Sequence, residues 1–313
     1  MIVVRNVAEL GDILRGSCLT IGNFDGVHLG HQRLLSRVTT KAKALGLESI
    51  AVTFDPHPMR VLAGPHTPPF ITLTGRKLEL IAALGLDCAL VLEFTREMAA
   101  LDPEDFVKTY LVDGLNVKEM VIGYDYAFGR DRKGNFELLV KLGEKHGFRV
   151  ERLGPVIIDG AVVSSTRIRD LIQAGKVWEA RALLGRFYTV RGRVVRGRDR
   201  GGRLLGFPTA NLKLVDELFP KTGVYAVWAS CEGKTWPAVA NIGYNPTFGN
   251  DVLSVEAHIL DFNQDLRGRE LRVAFVQRLR SEKKFSGIEE LSAQIKKDIA
   301  LGRQILADSE SQP

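Results

Sequence analysis

The first 185 residues alternate between two periodicities, and this restricts the possible folds more than any single residue does. The runs "CLTI", "SIAVTF", "CALVLEF", "EMVIG" and "RVERLGPV" are short, apolar and rich in β-branched residues. They read as buried strands. Helical segments separate them. Leu34, Leu35, Val38, Ala42 and Leu45 fall on one helical face, Asp102 and Pro103 open a second helix, and "NFELLVKLGEKHG" forms another that ends at Gly147. Repeated strand, helix, strand predicts a parallel sheet with helices on its faces. Past Gly185 the pattern changes to "RFYTVRGRVVRG", "GVYAVWAS", "WPAVANIG", "LSVEAHIL" and "LRVAFVQRL". Short strands with little helix between them predict an antiparallel barrel or sandwich. A closing helix is expected after a Ser286/Glu289 capping box, with Ile288, Leu291, Ile295 and Ile299 as its stripe. The chain therefore reads as two domains, 1–185 and 186–313, with "TRIRDLIQAG" and "VWEARALLG" ending the first.

A chain of 313 residues, 45% hydrophobic and 26% charged, can build two soluble cores of ordinary size. No apolar run reaches the ~18 residues a bilayer span needs. The start, "MIVVRNVAELGDILRG", lacks the features of a secretory signal. Cys18, Cys88 and Cys231 are scattered, which argues against a disulfide framework or a cysteine zinc site and points to the cytoplasm. The net charge of +6 suits an anionic partner, either nucleic acid or a phosphorylated small molecule.

"TIGNFDGVHLGHQ" follows the first strong strand and enters a helix. In open α/β sheets ligands bind beyond the carboxyl ends of strands, and anions favour helix N-termini. Gly22, Gly26 and Gly30 allow close backbone approach, and His28 and His31 can donate to phosphate oxygens. Two histidines at this spacing also suit zinc, but no third ligand is near, and a lone pair of this kind could simply cap a helix. "VVSSTRIRDLI" places Ser164, Ser165 and Thr166 at a helix start, with Arg167 and Arg169 just inside. That is an anion clamp or, by composition alone, a capped helix with surface arginines.

In the second half, "GRDRGGRLLGFPTANL" is dense in glycine and arginine but has no interleaved aromatic residues for stacking nucleic-acid bases. Thr209 and Asn211, after Pro208, offer hard oxygens suited to Mg²⁺, or else belong to an ordinary turn. Glu256 lies within an apolar strand. It faces either water or a site, where it would serve as a general base toward a hydroxyl.

His28-Leu29-Gly30-His31 resembles the His-x-Gly-His signature of the nucleotidyltransferase superfamily. "TIGNFDGVHLGHQ", "TFDPHP", "IGYDYAFGRDRKGN" and "VSSTRIR" resemble the adenylyltransferase module of the prokaryotic bifunctional riboflavin kinase/FAD synthetases. "LGFPTAN", "GVYAV", "ANIGYNPTFG", "EAHILDF" and "RLRSEKKF" resemble its kinase module, in the same order. The resemblance implies a Rossmann-like nucleotidyltransferase domain followed by a Greek-key barrel with a C-terminal helix. It implies phosphorylation of riboflavin to FMN by ATP, then adenylylation of FMN to FAD. It assigns Gly22, Asn23, Phe24, His28, His31, Ser164, Ser165, Thr166 and Arg169 to ATP in the first site, with His28, His31 and Arg169 catalytic. Phe54, Pro56, Pro58 and Asp125 would border the flavin. In the kinase it assigns Gly206, Pro208, Thr209 and Asn211 to ATP, Thr209 and Asn211 to Mg²⁺, and Glu256 to proton removal from the ribityl hydroxyl. Ala127 and Arg196 depart from the common pattern. The expected partners are riboflavin, FMN and ATP, with no nucleic acid and no membrane. The rival readings are an adenylyltransferase with a degenerate flavin-binding barrel and a nucleic-acid binder.

Overall fold

The computed structural model describes residues 1–10, 15–195, 207–244 and 253–308. They form two compact units, Met1–Ser164 and Ser165–Pro313.

The first unit is built on six parallel strands: β1 Ile2–Val4, β2 Ser17–Ile21, β3 Glu48–Phe54, β4 Cys88–Leu92, β5 Val117–Gly123 and β6 Arg149–Leu153. Their order is β1-β4-β3-β2-β5-β6. Side chains alternate across the sheet, so each strand feeds two cores. Leu19, Ile21, Val52, Leu90 and Ile122 pack with Phe106, Val107, Leu111 and Leu139 on one face. Cys18, Ala51 and Val121 pack with Leu34, Leu35, Val38, Ala42 and Ile81 on the other. The second cluster includes the inner faces of α1 (Leu29–Leu45) and α3 (Thr74–Ala82), with α2 (Pro58–Ala63) between them in sequence. Leu45, expected on the apolar stripe of α1, is exposed, because the helix ends there at left-handed Gly46. After the single turn α4 (Arg96–Ala99), Asp102 caps α5 (Pro103–Phe106) as expected, but the turns from Val107 to Gly114 widen into a π-helix. Asn135 caps α6 (Phe136–His146), which ends at Gly147. The short strands β7 Ile157–Ile158 and β8 Ala161–Val162 form a hairpin. The connection from β2 runs to β3 on one side and that from β5 runs to β6 on the other, so they diverge between the neighbours β2 and β5. This is the point where such sheets bind ligands.

The second unit is a closed antiparallel barrel of β9 Tyr188–Val195, β10 Ala210–Leu214, β11 Gly223–Cys231, β12 Lys234–Tyr244, β13 Leu253–Ile259 and β14 Glu270–Arg280. The order β10-β13-β12-β11-β14-β9 is a Greek key, since β10 lies beside β13 and β11 to β13 form a meander. Local pattern does not reveal β10 as a strand. Its five residues follow a proline and carry polar Asn211 and Lys213.

The closing helix, Ile288–Asp308, covers the outer face through Leu306, Ile305 and Gly302, where an added Cβ would sit 2.9 Å from Val239. Ile288, expected in its stripe, is exposed, and Ser286 bonds Glu290, not Glu289 (N 3.0 Å, Oγ 2.8 Å). The helix begins at Ile288, which brings the later glutamate over its entrance. The units divide ahead of residue 185. The helices α7 Ser165–Gln173 and α8 Val177–Leu184 belong to the second unit, with α8 packed on β14 and β9.

Candidate active sites

At the carboxyl end of β2 the chain turns sharply. Gly22 N donates to Val52 O (3.0 Å), and Phe24, Gly26 and Val27 all adopt positive φ. Positive φ is costly for Phe and Val, and here both side chains are buried, so the core holds the turn in place. Asp25 is buried beneath it and accepts from Ile71 N (3.3 Å) and Thr72 N (3.0 Å). His28 caps α1: its Nδ1 accepts from His31 N (3.4 Å). In the neutral ring this leaves the proton on Nε2. The His28 and His31 rings stack with centroids 3.6 Å apart, and Phe24 meets His31 edge-on. A Cβ on Gly30 would come 3.1 Å from the His28 ring, so glycine there makes room for the stack.

The end of β3 lies alongside. Thr53 Oγ1 bonds Asn23 O (3.5 Å), and Phe54, Pro56 and Pro58 follow, half-buried, with Phe54 edge-on to Phe94. Asp125, exposed, follows β5, the neighbour of β2. The fold therefore gathers Gly22, Asn23, Phe24, His28, His31, the Thr53–Pro58 segment and Asp125 at one end of one sheet. Ser164 ends the first unit. Ser165, half-buried, Thr166, exposed, and Arg169 lie in the first turns of α7, which is anchored by buried Ile168 and Ile172.

Sequence pattern alone does not single out Lys77. It is buried on α3 and donates from Nζ to Thr53 Oγ1 (2.9 Å), Asn23 O (3.2 Å) and Phe54 O (3.4 Å). The available signal was its place four residues before Ile81, on the helix face that enters the core.

In the barrel, Asn211 on β10 pairs with Glu256 on β13, which pairs in turn with Asn241 on β12. Directly opposed residues share a face, so the three form one row across three strands. Their neighbours Val255, Ala257, Ala240 and Ile242 are fully buried, which places the row on the outer face. Asn211 is buried, and its amide lies near Thr209 O (3.4 Å) and Oγ1 (3.5 Å). Burial pushes the Glu256 carboxyl above the usual carboxylate range. That makes it a stronger base once ionised. His258 hydrogen-bonds Pro208 O (2.8 Å) and meets Phe207 edge-on, fixing the approach to Thr209. Asn241 and His258 also escape a reading of the sequence: one is identified by strand register, the other by a contact between residues fifty apart. At the barrel's end a cavity of about 280 Å³ is lined by Val194, Pro208, Thr209, Ile259, Phe262 and Arg267, among others. Gly206 and Arg196 lie outside the described residues.

No group of three or more His, Cys, Asp or Glu that could hold a metal occurs among the described residues. A hydroxyl and an amide oxygen fit Mg²⁺ that takes its other ligands from nucleotide phosphates and water.

Comparison with known proteins finds two modules in this order. Residues 11–167 match the FAD synthetase family and residues 184–306 the riboflavin kinase family. The bifunctional riboflavin kinase/FMN adenylyltransferase of Pseudomonas fluorescens is 41% identical over 310 residues, covering 99% of both chains. That of Escherichia coli K12 is 37% identical over 306 residues, covering 97% of both. A crystal structure described as a macrolide-efflux protein from Streptococcus pneumoniae matches with TM-score 0.87 at 34% identity, covering 96% of this chain and 98% of that one. No helix among the described residues is long and apolar enough to cross a membrane. With both family matches in order on one chain, and relatives aligned from end to end, the protein belongs to the bifunctional riboflavin kinase/FMN adenylyltransferases.

Proposed function

We propose that FMN is adenylylated at the carboxyl ends of β2, β3 and β5, and that riboflavin is phosphorylated at the Asn211–Glu256–Asn241 row of the barrel. The stacked His28–His31 pair at a helix N-terminus, on the sheet's switch point, is the observation that carries the first assignment.

In adenylyl transfer a phosphate oxygen of FMN bonds to the α-phosphorus of ATP as the bond to pyrophosphate breaks. The nucleophile is already anionic, so no base is needed. The protein supplies position and charge stabilisation. His28 and His31 donate to the triphosphate, and the tight turn at Gly22, Asn23 and Phe24 lets it approach the backbone. Phe54, Pro56 and Pro58 offer an apolar wall to the flavin, bordered by Asp125. Ser164, Ser165, Thr166 and Arg169 are assigned to the triphosphate through their match to the family's block.

In the kinase, Glu256 takes the proton of the ribityl 5′-hydroxyl as that oxygen bonds to the γ-phosphorus and ADP leaves. Thr209 and Asn211 would hold Mg²⁺, which neutralises phosphate charge when bound. Pro208 sets their backbone, and Gly206 completes the nucleotide segment. The cavity at the barrel's end, where Ile259 and Phe262 sit beside polar Thr209, Gln264 and Arg267, suits the base of ATP.

The test separates the two activities on the full chain, supplied with ATP, Mg²⁺ and either riboflavin or FMN. His28→Ala lowers FAD formation about 100-fold or more and leaves FMN formation intact. Glu256→Ala lowers FMN formation by about 100-fold or more and leaves FAD formation from added FMN intact. Equal loss of both activities in either variant overturns the assignment.

A further inference from the structure

We propose that Lys77 is a positioning residue for adenylyl transfer, its ammonium tying the histidine-bearing loop to the β3 end and keeping a fixed positive charge where the anionic substrates meet. The proposal rests on the site assigned above.

A lysine seldom stays inside a protein when a short movement would return its head to water. Lys77 is only 4% exposed, on the face of α3 that also buries Ile81. The ammonium has three protons, and three acceptors surround it: Asn23 O, Thr53 Oγ1 and Phe54 O. One acceptor belongs to the loop after β2 and two to the end of β3. All three are neutral, so the charge is held without being cancelled by a contact carboxylate. The stretch leading to Lys77 is fastened to the same loop a second way, through Asp25 to Ile71 and Thr72 and through Gly26 N to Thr72 Oγ1 (2.9 Å). These ties fall on residues 23–26, immediately before Val27 and His28. A residue needed only for packing could be a methionine at lower desolvation cost.

Burial lowers the ammonium to about 8, opposed by the charges of Asp25 and Asp55, in that order. On its own helix, Arg76 and Glu79 pair with each other (2.7 Å), and Arg5 lies 3.9 Å from Asp55. The lysine is charged below its folded-state value and neutral above it. Its contribution to turnover is therefore present near pH 7 and lost as pH rises through about 8.

The experiment measures kcat/KM for FAD formation by the full chain from FMN, ATP and Mg²⁺ between about pH 6.5 and 9.5. The expected wild-type profile falls above about pH 8. Lys77→Met loses roughly 10- to 100-fold at pH 7, the scale of a charged hydrogen-bond contact, and no longer shows that fall. Lys77→Arg recovers part of the loss. Asp25→Asn moves the fall to lower pH. Activity of Lys77→Met within about two-fold of wild type, or an unchanged alkaline fall in that variant, overturns the proposal. If Lys77→Met does not fold by circular dichroism, the wild-type and Asp25→Asn profiles decide, and a flat wild-type profile overturns it. His28→Ala is run alongside. Retained FAD formation in that variant defeats the site assignment, whereas its loss beside an active Lys77→Met defeats only the role of Lys77.

Discussion

Residue by residue, the two sites use side chains in roles their usual preferences would not suggest. A histidine takes the N-cap of α1, where serine, threonine or aspartate is the common choice. Its Nδ1 accepts the helix bond, which puts the proton of the neutral ring on Nε2. Gly30 makes room for this. Gly30→Ala puts a methyl 3.1 Å from the imidazole, so FAD formation should fall several-fold while FMN formation holds, as a paired assay would show. In the barrel, His258→Ala removes the 2.8 Å bond to Pro208 O and frees the segment that carries Thr209. The expected result is a KM for ATP in the kinase reaction raised about ten-fold, with a smaller change in kcat. His28 and His31 were legible in the sequence because paired histidines, set among glycines at a strand-to-helix junction, put ring donors where a helix N-terminus already favours anions. Lys77 was not, because a lysine in a helix is read as solvent-facing until packing shows otherwise.

Among the elements, α1 carries the most. Its apolar stripe docks on the sheet, and Lys41 adds an ion-pair clamp to Glu119 on β5 (2.6 Å) and Glu151 on β6 (3.1 Å). Arg37 joins Glu151 at 2.8 Å and holds its carboxyl below the usual range. Glu119 is buried, so removing Lys41 leaves a carboxylate without its cation inside the fold. Lys41→Met should destabilise the first unit by about 3 kcal/mol, measured by urea denaturation followed through far-ultraviolet circular dichroism. The strands that were legible carry five or more residues of consistent pattern. β1, with three residues, and β10, with its polar pair, were not, since pairing partners rather than local preference make them strands. The capping box at Ser286 went one residue astray for a related reason. The spacing rule assumes where a helix begins, and the backbone decides that.

For the whole molecule, the division ahead of α7 has a measurable consequence. α8 buries Val177, Leu183 and Leu184 within the second unit, each worth about 2 kcal/mol. A fragment of residues 165–313 should therefore unfold at clearly higher denaturant than one of residues 186–313, and coincidence of the two curves would show that the helices add nothing to the barrel. Local pattern was enough to specify a parallel α/β unit followed by an antiparallel β unit, barrel or sandwich, and the principal motifs. Periodicity reports burial directly, and several motif blocks carry chemistry within a few residues. Which distant residues complete those blocks was settled by folding alone. Strand order set β2 beside β5 at the switch point, and register set Asn211, Glu256 and Asn241 in one row. Packing then turned Lys77 inward beneath the histidine loop. Each of these is a relation between residues far apart along the chain. It depends on which surfaces meet when the core closes, and local pattern holds no record of that.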